Sequence, residues 1–151
     1  NFIIQDSEGK KLAWANSNWT HLDISTGLPA RLTPADTDNY VLGEKMEMDY
    51  APRKIKLPED MIAQESFIVQ KHHLDTNHHV NNCQYVCMAE DFLPENFRIY
   101  QMRAEYKMQA KLGDVICPKV KTETDKVVVS LDDMEGKAYA IVEFLKKEGD
   151  I

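Results

Sequence analysis

Long apolar runs are missing from this sequence. The longest candidates, such as Val127 to Val129, fall far short of the roughly 20 residues that a bilayer span requires. No charged-then-apolar leader opens the chain either, so a water-soluble protein is expected. Positive charge is also short: 18 Lys and Arg stand against 25 Asp and Glu, a formal net charge of -7 at pH 7. Nonspecific binding to nucleic acid or to an anionic membrane needs clustered positive charge to displace counterions, so neither partner is expected. Cysteine is scarce and odd in number. Cys83, Cys87 and Cys117 lack disulfide-framework spacing, which fits a reducing compartment such as a bacterial cytoplasm or a plastid stroma. No tract is of low complexity, and no repeat of solenoid period is visible.

What is present is enough apolar material for one ordinary core, or for one domain and a piece of another: 43% of 151 residues. Asn1 opens the chain inside a candidate strand, Phe2–Gln5, as expected where further sequence precedes it. The polar stretch Asp6–Lys10 and the segment Leu12–Leu22, with Trp14 and Trp19, complete a β-hairpin. A lone hairpin is marginal in water, so it should belong to a larger sheet. Four of the six prolines, Pro29, Pro34, Pro52 and Pro58, mark a linker, within which Asp36–Met48 could form a short helix and Arg53-Lys54-Ile55-Lys56 is a basic group.

From Ser66 the pattern is more regular. A strand over Ser66–Gln70 leads to a histidine-rich loop, after which Tyr85, Met88, Ala89, Phe92 and Leu93 recur at helical spacing until Pro94. Tyr100, Met102, Ala104, Tyr106 and Met108 then alternate with polar residues, which predicts a strand with one buried face. Further strands are expected over Val115–Thr122, Lys126–Leu131 and Ala138–Lys146. One helix followed by an antiparallel meander buries best when the sheet curls around the helix, the α+β hotdog arrangement.

The segment Lys71–Asn82 holds His72, His73, His78, His79, Asp75, Asn77, Asn81 and Asn82. Part of this set has a structural reading, with Asn81 or Asn82 as the helix N-cap and Asp75 or Asn77 in Asx turns. The functional reading starts from the needs of thioester hydrolysis: a base or orienting carboxylate for water, and dipoles aimed at a developing oxyanion. The free N–H groups of the first helical turn, near Asn81 to Gln84, could supply the latter. Asp75, Asn77 and His79 stand at every second position, so an extended backbone would project all three to one side.

Asp75-Thr76-Asn77-His78-His79-Val80-Asn81-Asn82, followed by Tyr85, resembles the D-x-N-x-H-V-N-N signature of the acyl-carrier-protein thioesterases, matching six fixed positions in eight. Ala15-Asn16-Ser17-Asn18-Trp19, Asp23 and Thr26-Gly27-Leu28-Pro29-Ala30-Arg31 are similar to a second pair of family motifs, A-x-S-x-W and T-G-R-P-x-R, with Leu28 in place of an Arg. The resemblance implies two tandem hotdog units: residues 1–30 as the last strands of the first, 31–63 as linker, and 64–151 as the second. It implies hydrolysis of fatty acyl-carrier-protein thioesters in fatty acid biosynthesis, with Asp75, Asn77 and His79 as the catalytic set and no cofactor. Where plant members carry Glu-Cys, this chain has Gln109 and Ala110. Gln109 can orient a water but cannot act as a base, and Ala110 removes any cysteine nucleophile there, so direct attack by water is the preferred route.

Other readings of these residues remain. The histidines with Cys83 and Cys87 suggest a metal site, but the short C-x-x-C knuckle of structural zinc is absent. Tyr85, Met88, Met102, Tyr106 and Met108 are first of all core candidates and secondly the lining of an acyl tunnel. Arg53, Lys54 and Lys56 are a solvated basic stretch or a dock for the acidic carrier protein. A coenzyme-A thioesterase of similar fold and a noncatalytic acyl-binding module are the alternatives, and a truncated sheet edge would favour a homo-oligomer.

Overall fold

The computed structural model describes residues 1–147; the last four residues of the expected second domain lie outside the described residues. The chain divides into two compact units, Asn1–Tyr50 and Ala51–Ile151.

In the first unit, β1 (Phe2–Gln5) pairs antiparallel with β2 (Lys11–Ala15). The Asp6 carboxylate closes their turn by accepting the N–H groups of Glu8 and Lys10 at 3.0 and 2.9 Å. The second strand is shorter than the expected Leu12–Leu22. After Ala15 the indole of Trp19 donates to the Ser17 hydroxyl instead, and Leu22 returns only as a single bridge to Pro29. Nor does the expected helix Asp36–Met48 form. Only one turn, α1 (Pro34–Thr37), is present, with Thr33 N–H held by the Asp36 carboxylate at 2.8 Å. It buries no residue, and a short helix without an apolar face to pack has little to sustain it.

The second unit holds an antiparallel sheet in which β6 (Val115–Thr122), β7 (Lys126–Asp132), β8 (Ala138–Lys146) and β5 (Ile99–Tyr106) run side by side. Beyond β6 lies a split edge: β3 (Ile62–Ala63) and β4 (Phe67–Ile68) pair with successive stretches of β6. The helix α2 (Asn82–Glu90) packs on β7 and β8. Tyr85, Met88 and Ala89 from α2 meet Ile116, Val127, Val129, Leu131, Val142 and Phe144 from the sheet in one apolar core. This is the α+β hotdog arrangement, and the valine-rich β7, buried at nearly every position, runs through its centre. The helix is shorter than its periodicity predicted. It ends at Glu90, and Phe92 and Leu93 reach the core from the turn that follows.

On β5 the alternation translates into burial only in part. Ala104 and Met108 pack on the core, whereas Tyr100, Met102 and Tyr106 are 65%, 44% and 43% exposed. β5 is the outermost strand of the described sheet, and of these three only Tyr106 reaches α2 through a hydrogen bond, its hydroxyl donating to the Asn82 carbonyl at 3.2 Å. The polar face of β5 is partly covered. Arg103 donates to the carbonyls of Pro52 and Lys54 and pairs with Glu143, the Glu105 carboxylate accepts the N–H of Ile55 at 3.0 Å, and Ile55 packs against Val128 and Ile141. Residues 52–63 thus form a strap across the outer face of the sheet, tied also by Lys121 to Asp60 and by β3.

Candidate active site

Between the strap-bound sheet and α2, the chain makes a short 3-10 turn, Lys71–His73, and then a tight loop. Leu74 and Val80 bridge antiparallel. Across the loop Asp75 N–H donates to the His79 carbonyl at 2.8 Å, and His78 N–H to the Asp75 carbonyl at 3.1 Å. Oδ1 of Asp75 accepts the N–H of Asn77 at 2.8 Å and of His79 at 3.3 Å, an Asx turn that fixes the carboxylate over the loop. His78 sits at a positive φ of 62°, uncommon for a residue with a Cβ. The extended projection of Asp75, Asn77 and His79 is therefore not what occurs. A turn, closed by the side chain of the first of them, groups all three on one loop, with Asp75 and His79 half-buried and Asn77 exposed.

The loop runs directly into the helix. Asn81 is the N-cap, its side chain accepting Cys83 N–H at 2.9 Å. Its own N–H goes to the His73 carbonyl, and its carbonyl takes Gln84 N–H. Of the four amides from Asn81 to Gln84, only that of Asn82 lacks an acceptor among the described residues, so the oxyanion donors expected from this turn reduce to one. On the other side of the loop, Val80 N–H donates to the Ala110 carbonyl at 2.9 Å and His79 bridges Lys111. This pairing brings Gln109, which is exposed, beside the loop. Continuing the alternation of Tyr100 to Met108 by one residue would put Gln109 on the polar face of the strand, but it lies beyond β5. β5 ends at Tyr106, and the Tyr139 carbonyl accepts both Lys107 and Met108 N–H, a shared bond that breaks the ladder and its period.

Tyr85, read from the sequence as a core candidate, and Asp114 anchor residues 110–111. The hydroxyl of Tyr85, 2% exposed, accepts Ala110 N–H at 2.8 Å, and the Asp114 carboxylate accepts Lys111 N–H at 2.8 Å. Burial raises the phenol of Tyr85 above its usual range, so it remains protonated. Their signal in the sequence was faint: a Tyr three residues after the last Asn of the motif, and an Asp after Gly113. Cys83 and Cys87 are exposed, and among the described residues no group of three or more His, Cys, Asp or Glu side chains comes together to hold a metal ion. No described helix is long and apolar enough to cross a membrane.

A sheet curled around one helix, with a polar loop feeding the helix N-terminus, defines a hotdog-fold domain. Residues 55–144 match the acyl-ACP thioesterase C-terminal domain, and the chain belongs to that family. Among solved structures, an acyl-ACP thioesterase from Bacteroides thetaiotaomicron superposes with a TM-score of 0.83 at 19% identity, covering 96% of this chain and 60% of its own. An oleoyl thioesterase assignment from Lactobacillus plantarum gives 0.69 at 20% identity, covering 99% and 62%. A Staphylococcus aureus protein solved in complex with CoA gives 0.51 at 15%, covering 58% and 75%. The chain thus spans about 60% of the length of the first two structures. No curated protein matches it.

Proposed function

We propose that this chain is the C-terminal part of a hydrolase that cleaves fatty acyl-carrier-protein thioesters and releases free fatty acid in the biosynthetic pathway. The observation that carries the reading is the Asp75 turn at the N-terminus of α2, in a chain whose family is that of the acyl-ACP thioesterases. Oδ1 of Asp75 is committed to the loop amides, which leaves Oδ2 free to hold a water. His79, on the same loop, activates that water or receives its proton. Asn77, exposed at the loop tip, fixes the thioester carbonyl, and the N–H of Asn82 faces the oxyanion as a helix-terminal donor. Gln109 orients the water from the neighbouring segment. Attack is direct, because the loop from Asp75 to Asn82 carries no Ser or Cys and none stands in a recognised nucleophile motif.

Residues 1–30 are read as the last strands of a first hotdog unit, 31–63 as the connection and 64–151 as the second unit, so the acyl pocket is shared with sequence upstream. The partner is an acidic acyl carrier protein, and no cofactor is required. Steady-state hydrolysis of acyl-carrier-protein and acyl-coenzyme-A substrates by the complete natural protein tests the reading. Turnover of the former should dominate, and Asp75→Ala and His79→Ala should each lower kcat by about 100-fold or more. No turnover of either substrate by the wild type would refute the hydrolase. Preference for the coenzyme-A ester would move it to the other substrate class.

A further inference from the structure

We infer that Tyr85 and Asp114 are positioning residues for the hydrolytic loop, acting through the backbone of Ala110 and Lys111. The inference rests on the site proposed above. Residues 109–111 belong to no strand of the sheet, yet they form the platform on which the loop stands: Val80 N–H bonds to the Ala110 carbonyl, and His79 bridges Lys111. Two consecutive amides of that platform would otherwise be unpaired, and each is taken by a side chain. Ala110 N–H goes to the Tyr85 hydroxyl and Lys111 N–H to Asp114 Oδ2, both at 2.8 Å.

The two anchors come from opposite sides. Tyr85 rises from the second turn of α2, and Asp114 closes a turn whose Gly113, at φ +87°, donates to the Val69 carbonyl. Ala110 has no exposed surface and Tyr85 almost none, so water cannot replace the hydroxyl as acceptor, and a buried N–H without a partner forces local movement. Tyr85 therefore links the helix carrying the Asn82 amide to the segment carrying Gln109. Removing its hydroxyl lets Gln109 and His79 shift against that amide, and displacements of about 1 Å are enough to cost catalysis up to about 100-fold.

Kinetics of the complete natural protein with Tyr85→Phe, Asp114→Ala and Asp114→Asn test this. Tyr85→Phe should lower kcat by about 10-fold or more with KM changed less than about twofold, because alignment and not substrate binding is lost. Asp114→Asn keeps an acceptor for Lys111 N–H and should retain most of the activity that Asp114→Ala loses. If Tyr85 acts through Gln109, the double variant Tyr85→Phe with Gln109→Ala should fall no further than about the weaker of the two single variants. Far-UV circular dichroism at the assay temperature confirms folding; should Tyr85→Phe not fold, the Asp114 pair decides. A kcat for Tyr85→Phe within about twofold of wild type, equal loss for both Asp114 variants, or strictly additive losses would overturn the inference. If Asp75→Ala and His79→Ala themselves leave turnover intact, the site reading fails and takes this inference with it.

Discussion

The imidazole of His73 accepts the N–H of Gln70 through Nδ1 at 2.9 Å, which requires that nitrogen to be unprotonated. Burial first, and the neighbouring His72 second, hold its pKa below the ordinary value. The folded state therefore binds this proton less readily than the unfolded state does. The stabilisation is fully present above the unfolded value of about 6.5 and declines as pH falls from there toward the folded pKa. Thermal unfolding at pH 8 and pH 5.5 should show a larger drop for the wild type than for His73→Asn. At Asp75 the two jobs of one carboxylate separate cleanly. Asp75→Asn keeps an acceptor for Asn77 N–H and should unfold within about 3 °C of wild type, while kcat still falls by about 100-fold or more; Asp75→Ala should lose both. Sequence pattern made these residues visible as a cluster and offered an Asx turn at Asp75 or Asn77, but did not choose between that turn and an extended segment. Alternate spacing is equally compatible with an extended strand and with a loop closed by its first side chain, and only the 2.8 Å bond from Asp75 to Asn77 N–H distinguishes them.

Among the elements, α2 was legible because Tyr85, Met88 and Ala89 record its buried face at helical spacing, and β7 because a fully buried strand leaves an apolar run. The extent of α1 was not, since nothing local in Asp36–Met48 reveals that no core awaits it. The strap was also hidden. Its basic run Arg53-Lys54-Ile55-Lys56 suggested solvent, yet Ile55 is 6% exposed against Val128 and Ile141, and the carbonyls of Lys54 and of Pro52 before the run meet Arg103. Such pairings join residues about fifty positions apart and leave no periodic trace. Ile55→Ala should lower stability to urea by about 2–5 kcal/mol. Arg103→Met, which releases the Pro52 and Lys54 carbonyls and unpairs Glu143, should open the bonds near residue 54 to limited proteolysis, read by mass spectrometry of the fragments.

Across the whole molecule the two units differ in how they are held. Every residue of β1 and β2 is exposed, with Trp14 at 51%, whereas β7, β8 and α2 share a dry core. Hydrogen exchange on the 151-residue chain should find the β1 and β2 amides exchanging faster than those of β7 by at least about 100-fold. That a second unit's sheet curls around one helix was readable from the order of elements. Which strand stands at the rim was not, because strand order is a matter of partners and not of pattern. The rim matters for association: Tyr100→Lys with Met102→Lys should reduce any concentration-dependent self-association seen by analytical ultracentrifugation.

The sheet's two borders are unequal. On the β6 side the outer strand is broken into two-residue pieces, β3 and β4, too short to template another chain, while β5 offers eight residues on the other. A lattice that grows by adding strands needs two competent borders per building block. Among the described residues only the β5 border is long enough to template another strand, so any rim-to-rim joining is expected to stop at a pair and not to continue into a fibre.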